Sequence, residues 1–151
     1  MTVNPNSVVH LVRTGQGRYL AMNRNGTEIE LGEGDSVFSP VELLLAALAG
    51  CAALDVEAAT TRAVEPEVFK VGVLANKGSA GGNHLEDVQV NFSMRFPDTE
   101  EGREAKAMVE QVLQLSREQL GTVCRTIENP TPVDMTVKFC QPFRESMREA
   151  S

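Results

Sequence analysis

The chain has no Cys-x-x-Cys pair, and neither of its two histidines lies near a cysteine in sequence. A structural zinc site therefore has no ligand spacing to rest on, and no metal or other cofactor is expected. The cysteines are three, Cys51, Cys124 and Cys140. An odd count does not read as the disulfide framework of a small secreted domain. A basic stripe is also missing. Net charge is −7 and the pI about 4.9, with the acidic excess collected in residues 28–35 and 98–104. Such a surface repels phosphate backbones, so nucleic acid is not an expected partner. The opening residues MTVNPNSVVH lack the basic start and apolar core of a secretory signal. No apolar run reads as long enough to span a bilayer. The expectation is a cytoplasmic protein without a membrane partner.

What is present suits one globular domain. The chain has 151 residues, 42% of them apolar, enough for a single core. Residues 1–151 read as one domain, with an ordered core over about 7–139 and a tail over 141–151. Residues 7–13 (SVVHLVR), 18–23 (RYLAMN) and 27–31 (TEIEL) are short β-type runs. They are separated by Gly15–Gly17 and by Asn25-Gly26, which predicts a meander. Residues 68–75 and 85–96 alternate polar and apolar positions around a GSAGGN loop, the pattern of a hairpin. Residues 99–120 predict an amphipathic helix, 122–128 a short helical turn, and 133–139 (VDMTVKF) a closing strand. The order is βββ-α-ββ-α-(α)-β, an α+β protein.

The first helix is the most informative segment. Ser39 has the character of an N-cap, Pro40 suits the first helical position and Glu42 stands at N3, a capping box. The helix is expected to run to about Arg62, ahead of Glu65-Pro66. Through Ala53 it is apolar on nearly every face, so it is expected in the middle of the molecule rather than on its surface.

Cys51 lies on this helix. A thiol there has a plain explanation as a small hydrophobe in a core, where it is inert. The adjoining Gly50 points elsewhere, because glycine inside a helix costs about 1 kcal/mol against alanine. Its presence suggests that something approaches the backbone beside the thiol. Asp55 is one turn on, either over Cys51 or outward to solvent. An unpaired carboxylate over the thiol raises its pKa, so a reactive Cys51 requires a compensating cation, most simply an arginine.

The run Ser39-Pro40-Val41-Glu42-Leu43-Leu44-Leu45-Ala46-Ala47-Leu48-Ala49-Gly50-Cys51 resembles the cysteine-bearing helix of the OsmC/Ohr family, the osmotically induced and organic hydroperoxide resistance proteins. Cys124, ahead of the last expected strand, matches the family's second cysteine, and the element order agrees from about Ser7 to Phe139. The resemblance implies an OsmC-like fold, with two long central helices packed on antiparallel sheets in an intertwined homodimer. It further implies a thiol-dependent peroxidase acting on organic hydroperoxides. Cys51 becomes a sulfenic acid, Cys124 condenses with it to a Cys51–Cys124 disulfide, and an external dithiol reduces both. The family's activating arginine comes from the N-terminal hairpin. Arg18 is the best match, with Arg13 and Arg24 as alternatives. The Leu- and Ala-rich surroundings of Cys51 favour a hydroperoxide with an apolar tail over hydrogen peroxide.

Two positions place the chain nearer the less-characterised OsmC-like branch. The family's acidic residue directly follows the proline and holds the arginine. Here Val41 takes that place and Glu42 comes next, about 100° further around the helix. Glu42 is thus open to two roles, holder of the arginine or cap. Cys124 is followed by Arg125 where many members have proline. A second function from another class fits the same features: a non-catalytic or redox-sensing dimer that binds a small apolar ligand in an interface pocket. Cys124 also has a plain reading, as part of an apolar stripe with Leu120, Val123 and Ile127. Cys140, His10 and His84 receive no role.

Overall fold

The computed structural model describes residues 7–78, 80–118, 121–129 and 131–139. The N-terminal third folds as the expected meander: β1 (Val9–Gly15), β2 (Arg18–Asn23) and β3 (Glu28–Gly32), antiparallel in the order β1-β2-β3. Gly17 (φ +63°) and Gly26 (φ +82°) take the left-handed turns between them, a conformation that glycine adopts without steric cost. At Gly32 a β-carbon would collide with the carbonyl oxygen of Gly17. The Glu33 amide then donates to that same oxygen at 2.8 Å, which pins the exit of β3 against the first turn.

Helix α1 follows as Pro40–Thr60. Its capping box is complete: the Glu42 amide donates to Ser39 Oγ at 3.2 Å, and the Ser39 amide donates to Glu42 Oε2 at 2.7 Å. The hydrogen bonds from Ser39 hold the Glu42 carboxyl below its ordinary range, because they favour the ionised form. A hairpin of β4 (Val68–Gly78) and β5 (His84–Arg95) forms a second antiparallel sheet. Its register shifts between Leu74 and Asn76. Asp87 there adopts φ +53° and accepts a hydrogen bond from Asn76 Nδ2 at 3.2 Å. Helices α2 (Glu100–Glu118) and α3 (Thr122–Glu128) complete the described elements.

α1 packs on β4, α2 and α3, whereas the extensive contacts of the N-terminal sheet are those among its own strands. The buried centre is small. It holds Leu48, Val56 and Thr60 of α1 and Ala105 of α2, with Ala21 and Leu31 buried in the first sheet. Thr60 is fully buried and stays satisfied by donating to the Val56 carbonyl at 3.0 Å.

Three expectations are corrected. First, α1 is not enclosed: Val41 is 49%, Leu44 44% and Leu54 66% exposed. One chain supplies cover only where β4, α2 and α3 reach it, and the remaining apolar face has none. Second, α1 is by length and composition long and apolar enough to cross a membrane. A core helix of a soluble protein meets the same criterion, so this is weak evidence on its own. Third, residues 133–139 form no strand. They run without strand partners, with Val133, Met135, Val137 and Phe139 all at least 74% exposed. Leu120, Cys140 and the tail 141–151 lie outside the described residues.

The total accessible surface is 12894 Å², against about 7,500 Å² for a compact chain of this mass. Exposed apolar side chains recur through the described elements, on α1, on β1 at Val9, Leu11 and Val12, and on β3 at Ile29.

Ser39→Ala removes one half of the capping box and should lower stability by about 1 kcal/mol, read from urea unfolding midpoints at fixed protein concentration. Because the Glu42 carboxyl is held low in the fold, its stabilisation is present above the ordinary carboxylate range. It fades as pH falls through the lowered value. The gap between wild type and Ser39→Ala should therefore narrow in acid.

Candidate active site

The position of Cys51 follows from α1. Leu44, Leu48, Cys51 and Asp55 recur at helical spacing and so share one face. Leu48 faces the core. α3 packs against this helix and carries Cys124. The sequence separation of the two cysteines is closed by this helix contact alone. Both thiols are free and partly buried, and Cys51 lies close enough to raise the Cys124 pKa by its charge.

Gly121, which caps α3, shows how close the approach is. A β-carbon on it would lie 3.5 Å from Asp55 Oδ2 and 3.9 Å from Cys51 Cβ. Asp55 therefore faces the thiol pair, which resolves the two orientations left open by the sequence. Gly50 has open space where a side chain would stand, so among the described residues nothing approaches the helix there.

The surroundings of Cys124 raise its pKa on balance, against a smaller lowering by a backbone hydrogen bond. Burial pushes its thiol up first, followed by Cys51, Glu128 and Asp55. All of these disfavour a thiolate. Among the described residues no arginine is part of that environment. Arg18 lies on β2, where its Nη2 donates to Ser36 Oγ at 2.9 Å. The strand pairing also separates the arginine candidates. Arg13 pairs with Tyr19, and paired residues share a face, so Arg13 and Arg18 lie on opposite faces of the first sheet. The Arg13 face carries Val9, Leu11, Tyr19 and Ile29, all exposed in part, together with the sheet's two buried residues, Ala21 and Leu31. Sequence alternation alone gave no way to see that Arg13 is the one on this apolar side. Arg24 lies in the turn after β2. Glu42 is engaged in the capping box, so of its two open roles the cap is the one this chain displays.

An apolar cavity of about 190 Å³ is lined by Leu44, Leu45, Leu48, Leu85, Val88 and Ile127, residues of the two cysteine-bearing helices and of β5, with neither thiol in its lining. Ile127 comes from the same short helix as Cys124, and Leu48 is one turn before Cys51. Leu85 and Val88 come from β5, a contribution that no motif signalled. The histidines stand apart from this chemistry. His84 Nδ1 is 2.9 Å from the Gly82 carbonyl and Nε2 is 3.5 Å from Glu86. His10 pairs with Met22 on β1. Among the described residues no group of three His, Cys, Asp or Glu side chains is arranged to hold a metal ion.

A partly buried thiol next to a second thiol, on helices that also line an apolar cavity, can form and resolve a sulfenic acid provided a cation lowers the first pKa. Comparison with known proteins bears on this arrangement. A family model described as OsmC-like protein matches residues 32–136. A hypothetical protein from Aquifex aeolicus VF5 has a similar fold, with TM-score 0.66 and 22% identity over 85% of this chain and 89% of that one. An OsmC-like protein from Mycoplasma pneumoniae is similar at TM-score 0.62 and 15% identity, covering 83% and 89%. An OsmC-like protein of unknown function from Vibrio cholerae follows at 0.58 and 15%, covering 82% and 94%. No curated protein matches the chain.

With its pKa raised by burial and by negative neighbours, Cys124 should alkylate slowly with iodoacetamide at pH 7. Its rate should keep climbing past the usual thiol range. Peptide mapping by mass spectrometry across a pH series reads this directly. Cys51→Ser removes one of the charges and should shift the Cys124 profile toward lower pH.

Proposed function

Because the chain belongs to the OsmC-like protein family, we propose that it is a thiol-dependent peroxidase reducing organic hydroperoxides to alcohols. The observation that carries this is the convergence of Cys51 and Cys124 from α1 and α3, two helices that also line one apolar cavity. In this reading the Cys51 thiolate attacks the distal oxygen of the hydroperoxide. The O–O bond breaks, an alcohol leaves, and Cys51 becomes a sulfenic acid. Cys124 condenses with it, releasing water and closing a Cys51–Cys124 disulfide. An external dithiol restores both thiols. The cavity takes the apolar tail of the substrate, whose burial supplies affinity that hydrogen peroxide lacks.

The reading requires a cation, and among the described residues none acts on Cys124. A second copy supplies it. The exposed face of α1, the apolar face of β1–β3 and the unpaired residues 133–139 all present apolar surface in need of cover, far beyond the patches usual on a monomer. A homodimer in which the first sheet of one chain covers the helices of the other removes this exposure. It also carries an N-terminal arginine to the partner's Cys51. Arg18 and Arg13 are the two candidates, on opposite faces of that sheet. An OsmC-like dimer that merely binds a small apolar ligand is the competing function. It is favoured by a larger cavity of about 490 Å³ between β5 and α2, lined in part by Phe92, Met94, Val109 and Leu113.

Reduced protein treated with cumene hydroperoxide should lose two thiols per chain, and a Cys51–Cys124 peptide should appear on mapping. Cys51 remaining reduced at stoichiometric hydroperoxide sinks the enzyme reading, and a co-purifying apolar ligand then supports the binding one. Mixing Cys51→Ser chains with Arg18→Ala chains, or with Arg13→Ala chains, tests the shared site. Each parent should be inactive, and the mixed dimer should regain activity at one of its two sites for the arginine that serves in trans. A mixture that stays inactive for both arginines rejects the partner-supplied cation.

A further inference from the structure

One carboxylate at the thiol pair has no part in the scheme above. Asp55 makes no hydrogen bond or ion pair among the described residues, yet its Oδ2 faces Gly121 at the start of the helix that carries Cys124. The same spot faces Cys51 Cβ. Asp55 is exposed, so its carboxyl is open to water. A carboxylate beside a catalytic thiol is unfavourable for thiolate formation, and such a residue is accounted for only if it acts in a step other than the first attack.

Resting on the peroxidase reading, we propose that Asp55 is the general acid–base of the resolving step. As Cys124 Sγ attacks Cys51 Sγ, the Asp55 carboxylate takes the Cys124 proton. The sulfur–oxygen bond of the sulfenic acid breaks with its electron pair on oxygen, and the new carboxylic acid hands its proton to the departing hydroxide. Cys51–SOH and Cys124–SH thus become a disulfide and one water, with Asp55 ionised again. The sulfenic sulfur is reduced as Cys124 is oxidised, so no other oxidant or reductant enters. The need for such a carrier is plain at Cys124, which burial and the charges of Cys51, Glu128 and Asp55 keep as a neutral thiol at neutral pH. Hydroxide is also a poor leaving group unless protonated as it goes.

A purely electrostatic role predicts the opposite sign. Removing the Asp55 charge lowers the Cys124 pKa and speeds closure, whereas removing a proton carrier slows it. The test uses full-length protein in a Cys140→Ser background. With cumene hydroperoxide, Asp55→Asn should form the Cys51 sulfenic acid at least as fast as wild type, trapped with dimedone and read by mass. Disulfide closure should then be slower by about a hundredfold, with overoxidised Cys51 accumulating, and Asp55→Glu should restore most of the rate. Closure in Asp55→Asn at or above the wild-type rate overturns the proposal. A second arm needs no peroxide. Reaction with 4,4′-dithiodipyridine releases one thiopyridone on modification and a second on intramolecular closure. That second release should be slowed in Asp55→Asn and restored in Asp55→Glu. Wild type that ignores hydroperoxide but closes in an Asp55-dependent way with the pyridyl reagent rejects the peroxidase reading and leaves Asp55 as the proton carrier. Asp55-independent closure there rejects the role of Asp55 itself.

Discussion

A helix that is apolar on nearly every face has to be covered on nearly every face, and α1 is covered on only part of its circumference by its own chain. Val56 and Thr60 are sealed against the rest of the fold, while Val41, Leu44 and Leu54 stand in solvent. The same imbalance recurs in the first sheet, whose strands pair well with one another and pack little on anything else. At ~25 cal/mol per Å² of apolar surface removed from water, leaving such faces bare is a large standing cost. That cost is the physical basis for proposing that this fold is completed by a second copy.

The site inherits the same incompleteness. Within one chain the neighbours of Cys124 all act against ionisation. The hairpin arginines sit in a sheet whose main contacts are internal, with Arg18 tied to Ser36. Among the described residues two thiols thus come together with no cation acting on Cys124. Reactivity that depends on assembly keeps an isolated chain from presenting an activated thiolate. The proposed dimer would then join stability and chemistry in one event.

Much of the fold was legible because local chemistry and final structure agree. Ser39, Pro40 and Glu42 announced the start of α1, and the capping box formed as read. Gly17 and Asn25-Gly26 marked the turns of the meander, and α3 occupies Thr122–Glu128 as expected. The closing strand over 133–139 is the instructive miss. Its alternation of Val133, Met135, Val137 and Phe139 is a sound strand pattern, but a strand also needs an edge to pair with, and pattern says nothing about where that edge is. The burial of α1 failed for a related reason: apolarity reports a need for cover and not its source.

Cys51 and its surroundings divide along the same line. The sequence by itself determined the helix, its cap and the presence of a thiol beside Gly50, and resemblance pointed to Cys124 as the expected partner. These depend on interactions a few residues apart or on a motif. Only the tertiary structure decided that Asp55 turns toward the thiols, that Gly121 is the point of close approach, and that Leu85 and Val88 line the cavity. Strand register likewise put Arg13 on the apolar face of the first sheet, with Ala21 and Leu31, and Arg18 on the other. Each of these is a relation between segments far apart in the chain, fixed by packing and pairing rather than by any residue's own propensity.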